Sequence, residues 1–184
     1  LQLGLFYKPV PSLRLGFSYR GKVTVDGSGT TTTRLGPTPI VLDTQQSYSN
    51  PHSFRAGLAW TTLDDKLMLA ADLKYLLYAE AFKELGTTTT MAGKAPSTAY
   101  TKAYWKDSVS VHVGAEYSFG KAWCARLGYS LVTSATNSDY ALSYFAPPGN
   151  AHQFLGGVAI KTLDSLNMDI AAAPVVMSST VENS

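Results

Sequence analysis

A long two-faced stretch beginning at Leu13 constrains the fold more than any other feature of the sequence. In LRLGFSYRGKVTV, most odd positions up to Val25 carry apolar or aromatic side chains, and the even positions carry small or charged ones. Strict alternation with a period of two predicts a β-strand with one apolar and one polar face. The stretch is longer than the roughly 5–6 residues of an average globular strand. The fold must therefore accommodate an unusually long amphipathic strand.

The same alternation recurs along the chain and predicts eight strands. Short turns between them alternate with long segments rich in Thr, Ser, Gly and Pro. This order is typical of an antiparallel up-and-down barrel, in which one rim has tight turns and the other carries loops. The strands are predicted at 1–8, 13–25, 54–61, 67–78, 108–119, 123–131, 152–162 and 167–177, the short turns near 9–12, 63–66, 119–122 and 163–166, and the long loops near 28–50, 86–104 and 136–150.

Two segments of the chain echo each other. HSFRAGLA at 52–59 reappears as HQFLGGVA at 152–159. The echo suggests that two hairpins occupy equivalent positions in the barrel.

Composition excludes several classes of function. The net charge of +2, without a cluster of Lys or Arg, argues against a nucleic-acid partner. A single cysteine, Cys124, excludes an internal disulfide framework. No spacing typical of metal ligands connects the three histidines, and the lone His112 falls on a polar strand face, so we expect no metal or other cofactor. No G-x-S-x-G motif is present, and we expect no enzyme activity.

Alternation alone does not decide whether the apolar face meets a protein core or lipid. Three features favour lipid. The strands reach the 9–11 residues that a tilted membrane strand needs, charged residues occur mid-strand on the polar faces, and aromatic residues lie beside the short turns, as in an interfacial girdle. The charged residues are Arg20, Glu116 and Arg126, and the aromatic residues are Tyr7, Trp60, Phe119 and Trp123. We therefore favour a transmembrane barrel over a soluble β-barrel or sandwich.

A series of motifs in fixed order resembles the FadL-type outer membrane transport proteins, a family that includes long-chain fatty acid and aromatic hydrocarbon transporters. The opening LGLFYKPVPSLRLGFSYRGKVTVDGSG is similar to a strand-turn-strand of that family. The later motifs are D-x-x-Y at Asp72 and Tyr75, W-x-D at Trp105 and Asp107, G-x-x-Y at Gly114 and Tyr117, and R-x-G-Y at Arg126, Gly128 and Tyr129.

The resemblance implies a fold, a location and a function. The fold is all-β, an antiparallel up-and-down transmembrane barrel of fourteen strands with an N-terminal hatch, in the outer membrane of a Gram-negative bacterium. Residues 1–184 would supply about eight of those strands, without the hatch and the final strands. The function would be passive uptake of hydrophobic molecules, foremost long-chain fatty acids, by a monomer in contact with outer membrane lipid. A small eight-stranded barrel with a structural or adhesive function remains an alternative.

Candidate ligand-binding residues fall into a charged and an apolar group. An arginine on a polar strand face can pair with a fatty acid carboxylate, or it can pair with a carboxylate on a neighbouring strand. Apolar residues at the loop ends of strands can capture a hydrophobic ligand or pack loop against loop. Trp105 and Asp107 are either ligand contacts, or an interface tryptophan and a strand-start turn residue. The charged group comprises Arg14, Arg20 and Arg126, and the apolar group comprises Leu76, Tyr78, Phe82, Tyr144 and Phe145.

The facing of the second strand can be tested with two arginine substitutions. Leu15→Arg places a charge toward lipid, where it costs about 2–4 kcal/mol near the bilayer midplane, whereas Ser18→Arg places it toward the lumen. We expect Leu15→Arg to reduce the folded fraction far more than Ser18→Arg when the full-length protein is refolded into lipid vesicles. Equal folded fractions for the two variants would contradict the facing.

Overall fold

The computed structural model describes residues 1–34, 38–62, 64–120, 122–137, 139, 149–163 and 166–178. Over these ranges the chain forms strands in two antiparallel sheets and one short helix, α1 (Tyr78–Ala81). No helix in them is long and apolar enough to span a bilayer. The larger sheet, here the barrel sheet, contains β1 (Gln2–Val10), β2 (Leu13–Arg20), β5 (Ser53–Thr62), β6 (Leu67–Leu76), β9 (Ser108–Phe119), β10 (Trp123–Val132), β11 (Asn150–Leu163), β12 (Leu166–Ala172) and β13 (Val175–Ser178), and the smaller, here the rim sheet, contains β3 (Val23–Arg34), β4 (Pro39–Asn50), β7 (Glu84–Thr90) and β8 (Ser97–Lys102).

The barrel sheet contains the eight predicted strands in their predicted order, with the second strand shorter than predicted and the last one divided. Its strands run β1-β2-β5-β6-β9-β10-β11-β12, each antiparallel to its neighbour. The predicted last strand is divided into β12 and β13 around Pro174, and both halves pair with β11. Proline has no N–H to donate to a ladder, which accounts for the interruption.

The barrel sheet is open in the described residues. There β1 pairs with β2, β12 pairs with β11, and β1 and β12 do not pair with each other. A small eight-stranded barrel would need its first and last strands to pair. The observed order does not have the closure that the eight-stranded alternative requires.

Two sequence predictions about the remaining segments are wrong. The alternation from 13 to 25 is not one strand, because β2 ends at Arg20 and β3 begins at Val23 in the other sheet. The segments near 28–50 and 86–104, predicted as loops, instead form β4, β8 and most of β3 and β7. These segments are rich in Gly and Ser, which favour loops. They are also rich in threonine, a β-branched residue that favours strands, and here they form strands. The loop predicted near 136–150 falls mostly outside the described residues.

The rim sheet lies at the end of the barrel sheet opposite the tight turns. The β3–β4 hairpin connects the last residue of β2 to the first of β5, and β7 and β8 lie between the end of β6 and the start of β9. The tight turns β1–β2, β5–β6 and β9–β10 lie at the other ends of the same strands. In outer membrane barrels the tight turns face the periplasm and the long connections face outside.

The apolar face of the barrel sheet is exposed. The register pairs like with like, for example Leu15 with Leu58, so apolar side chains share one face across the sheet. Leu127 is 71% exposed and Ile170 is 69% exposed. The buried apolar residues in the described part of the chain, such as Trp105, lie outside the barrel sheet. A water-soluble sheet would bury such a face against a core, whereas a membrane barrel turns it toward lipid.

Aromatic residues border this apolar face at both ends. Beside the tight turns, the predicted girdle of Tyr7, Trp60, Phe119 and Trp123 is about half exposed. At the opposite end the two echoed segments make the same contacts as each other. In the described part of the chain, the Tyr19 hydroxyl lies 2.8 Å from His52 Nδ1 and the Tyr129 hydroxyl lies 2.8 Å from His152 Nδ1, and each tyrosine ring also contacts the phenylalanine two residues after its histidine. The echo therefore marks equivalent positions.

Two glycines on the polar face allow a matched test of strand packing. An added Cβ at Gly157 would lie 3.1 Å from the Ile170 oxygen and 3.2 Å from the Ala171 Cβ, whereas one at Gly16 would meet nothing within 4 Å. We expect Gly157→Ala to lower the free energy of unfolding by about 1–3 kcal/mol through overpacking. Gly16→Ala should leave it unchanged or raise it slightly, because alanine loses less entropy on folding. Urea unfolding of the full-length protein in micelles would measure both, and equal values would refute the packing.

Candidate functional site

The polar face of the barrel sheet borders a cavity of about 1000 Å³, here the glycine-lined cavity. Gly16 and Gly57 lie directly opposite each other on β2 and β5, and Gly114 and Gly128 do so on β9 and β10. Because glycine has no side chain, the strands leave open space along this band. Predicted lumen-facing residues such as Arg14 and Arg126 border the cavity, and so do residues of the apolar face such as Leu15 and Leu127.

Arg126 is held by two carboxylates on this face. Its Nε donates to Glu116 Oε2 at 2.6 Å, and its Nη1 donates to Asp169 Oδ1 at 2.5 Å. Glu116 lies directly opposite it on β9, whereas Asp169 lies two strands away on β12. The side chain can cross β11 because Gly157 stands opposite Arg126 there. Of the two roles predicted for Arg126, the structure therefore shows the pairing with carboxylates on other strands.

A second ion pair joins β5 and β6. Arg55 Nε donates to Asp72 Oδ2 at 2.6 Å. In the described residues the other carboxylate oxygen of Asp72 is buried without a hydrogen-bond partner. Gly57 stands opposite Asp72, and a Cβ there would lie only 3.3 Å from Asp72 Oδ2. The glycine thus makes room for the carboxylate.

Arg14 differs from the other two arginines that border the cavity. It lies on β2 opposite Ala59, and its side chain is exposed toward the cavity. Among the described residues, the ion pairs of this face involve Arg55 and Arg126 and not Arg14. Arg20 lies at the end of β2 and is not among the residues bordering the cavity. Of the predicted arginines, Arg14 is therefore a cation in the cavity with no carboxylate partner in the part of the chain described.

Among the described residues, the cavity has no cluster of side chains that could hold a metal. His112 borders it, but nowhere in the described ranges do three His, Cys, Asp or Glu side chains converge as metal ligands would. Cys124, on the same face of β10, is a free thiol.

A buried aromatic cluster lies where the barrel sheet meets the rim sheet. Phe82 stacks on Trp105 with ring centroids 4.5 Å apart, and Tyr78 contacts the same indole edge-on at 5.4 Å. Trp105 is only 4% exposed. The interpretation of this residue as a tryptophan at the membrane interface is therefore wrong. Leu85 is buried in the same cluster, and Leu76 lies two residues before Tyr78 at the end of β6. The structure brings Tyr78 and Phe82 together, while Tyr144 and Phe145 lie outside the described residues.

Asp107 fixes the short helix beside this cluster. One of its oxygens accepts the Ala79 N–H at 3.0 Å, and the other accepts the Tyr75 hydroxyl at 2.8 Å. The D-x-x-Y and W-x-D motifs thus meet in space. Burial raises the pKa of the Tyr78 phenol above its ordinary value, so this ring stays neutral. The two motifs identify the residues, but the spacing within a motif does not determine strand register. The contact between Asp107 and Tyr75 therefore could not be predicted from them.

Comparison with known proteins assigns the family. A family model described as outer membrane protein transport protein (OMPP1/FadL/TodX) matches residues 1–184. The chain belongs to this family. The location expected from its resemblance to FadL-type proteins, the outer membrane of a Gram-negative bacterium, is thereby confirmed. A search of curated proteins gave no match.

Solved structures show the same fold. A FadL homologue from Pseudomonas aeruginosa aligns with 96% of this chain and 44% of its own, at 16% identity and a TM-score of 0.76. The toluene transporter TodX from Pseudomonas putida aligns with 92% and 42%, at 19% identity and a TM-score of 0.64. The toluene transporter TbuX from Ralstonia pickettii aligns with 95% and 45%, at 19% identity and a TM-score of 0.54. The chain spans less than half the length of each.

The stack of Phe82 on Trp105 allows a test of what holds the helix segment. Phe82→Ala removes a buried ring and should loosen residues 77–106, because large-to-small core substitutions cost about 3–5 kcal/mol for Phe. We expect limited proteolysis to cut this segment at least tenfold faster while the barrel strands stay protected. Tyr100→Ala, at a residue that is 68% exposed on β8, is the control and should not change the cleavage rate. Equal cleavage of both variants would contradict a structural role for the stack.

Proposed function

We propose that the protein containing this chain takes up hydrophobic molecules across the outer membrane without energy input, and that its substrates are long-chain fatty acids. The observation that carries the proposal is the unpaired Arg14 in the glycine-lined cavity, in the part of the chain described. A cation without a counter-ion beside small apolar side chains suits a ligand with one carboxylate and a long hydrocarbon chain.

The wall of the cavity supports an amphipathic ligand. Ala59, Ala70, Leu155 and Ala171 lie on the polar face of the barrel sheet and border the cavity together with the glycines. These side chains offer hydrocarbon surface for an acyl chain without hydrogen-bond competition. Membership of a family of outer membrane transport proteins supports uptake as the purpose of this surface.

The other two arginines are less suited to a ligand carboxylate. Arg55 and Arg126 already donate to carboxylates at 2.5–2.6 Å. A ligand carboxylate would have to share the guanidinium with a carboxylate that is already bound to it, and the two like charges would repel each other. The hypothesis that Arg126 binds ligand is therefore weaker than the same hypothesis for Arg14.

The apolar residues at the rim fit a role in first capture. Leu76, Tyr78 and Phe82 lie at the end of the barrel sheet opposite the tight turns, beside the rim sheet. We propose that a surface adjoining them receives hydrophobic ligand before it reaches the cavity, and that Tyr144 and Phe145, which lie outside the described residues, also contact ligand. Two of the solved structures with this fold are named as toluene transporters, so aromatic hydrocarbons are the alternative substrates. An uncharged hydrocarbon would have no use for Arg14.

Binding of a fluorescent long-chain fatty acid to the full-length protein in detergent tests this proposal. Arg14→Gln removes the charge, and because a hydrogen bond to a charged group is worth about 1.5–3 kcal/mol, we expect at least tenfold weaker binding. Arg20→Gln, on the same strand but outside the cavity, should bind like the wild type.

Unlabelled fatty acid and toluene serve as competitors in the same titration. Displacement by fatty acid with loss in Arg14→Gln supports the proposal. Displacement by toluene, with equal binding by both variants, favours the hydrocarbon alternative. No saturable binding by a folded protein would reject both substrates.

A further inference from the structure

We propose that the rim sheet carries a binding groove for a neutral saccharide, separate from the glycine-lined cavity. The groove, here the rim groove, has a volume of about 460 Å³ and lies on one face of the β3–β4 hairpin. Its floor, its walls and its lack of charge each point to the same class of ligand.

Two glycines make the floor. Gly27 and Gly29 are two residues apart on β3, so they lie on the same face of the strand. An added Cβ at Gly29 would meet nothing within 4 Å. Glycine inside a strand weakens it and often marks a place where a ligand approaches the backbone. The floor of the groove, here the trough, is therefore backbone without side chains at these two positions.

The partner strand supplies the walls. Gln46 stands opposite Gly27, and Thr44 stands opposite Gly29. Thr44 Oγ1 donates to Thr31 Oγ1 at 2.8 Å across one end of the trough. At the other end the Tyr48 ring, which is 45% exposed, lies opposite Val25. An amide, two hydroxyls and one aromatic ring therefore surround the floor.

These groups suit a sugar. A sugar ring has hydroxyls around its edge and C–H bonds on its faces, so it needs hydrogen-bonding groups together with a flat apolar surface. Hydroxyl and amide side chains both donate and accept, and a tyrosine ring offers an apolar face with a polar tip. No hydrogen bond within the described ranges engages the Gln46 amide or the Tyr48 hydroxyl.

The lack of charged groups among the described residues of the groove further restricts the class of ligand. The described residues that border it are uncharged. The two nearby carboxylates, Asp26 and Asp43, fall on the opposite face of the hairpin, where Asp26 accepts a hydrogen bond from Ser47. A phosphate is bound most strongly by cations, and the hydrocarbon of a fatty acid would offer the Gln46 amide no hydrogen-bond partner. A neutral polyhydroxylated ligand needs no cation, and its hydroxyls supply hydrogen-bond partners.

Saccharide of this kind can come from two sources. The rim sheet lies at the end of the barrel sheet opposite the tight turns, which is the outward end in outer membrane barrels. The outer leaflet there carries the polysaccharide chains of lipopolysaccharide, and free oligosaccharides are present in the surrounding medium. Both offer the same neutral sugar rings to the groove.

The test uses the full-length protein in detergent and two probes, maltoheptaose and deacylated O-polysaccharide from lipopolysaccharide. Saturation-transfer NMR would detect weak binding of each. We expect Tyr48→Ala to weaken binding at least fivefold, because it removes the stacking surface. Gly29→Val should do the same by filling the trough, and the open space at this position lets the strand accept the side chain. Tyr100→Ala, on the opposite face of the rim sheet, is the matched control and should bind like the wild type.

Each outcome decides the proposal. Binding of O-polysaccharide alone assigns the groove to the surrounding membrane, binding of maltoheptaose alone assigns it to soluble saccharide, and binding of both assigns it to neutral sugars in general. Binding of neither probe overturns the proposal, as does binding that Tyr48→Ala and Gly29→Val leave at the wild-type level. Far-ultraviolet circular dichroism of the same preparations shows that the variants are folded, and it depends neither on the rim groove nor on fatty acid binding.

Discussion

Inside a bilayer there is no water to pair with backbone N–H and C=O groups, so every such group must pair within the protein. The rest of this structure depends on that constraint. It requires the chain to cross as strands paired in register, and it leaves the side chains to divide between lipid and lumen. The apolar face of each strand is exposed because lipid takes the place of a core. The residues of the polar face form ion pairs and border the glycine-lined cavity.

The strands and their facing could be predicted because the bilayer imposes the pattern directly on the sequence. Leu15 and Phe17 alternate with Arg14 and Ser18 because the two sides of β2 meet different solvents. The rim sheet could not be predicted in this way. Both faces of β3 are exposed, and from Thr30 to Thr33 threonine occupies odd and even positions alike, so this part of the strand has no period of two.

The candidate site was only partly predictable for a different reason. Alternation places Arg126, Asp169 and Gly157 on the polar face, but which of them meet depends on register, and register depends on turn geometry. The aromatic cluster shows the same limit. Trp105 has the sequence context of an interface residue, and only the path of the chain through α1 shows that Phe82 covers it.

The reach of Arg126 over Gly157 to Asp169 has a mechanical consequence. The ion pair joins β10 to β12 and passes over β11, which contributes neither charge to it. If β11 slid by two residues, which keeps the same side chains on the polar face, Leu155 or Ala159 would stand where the guanidinium crosses, and its side chain would obstruct the ion pair. β11 is therefore locked in place by a bond between its two neighbours, and this part of the wall should resist shear as a three-strand unit.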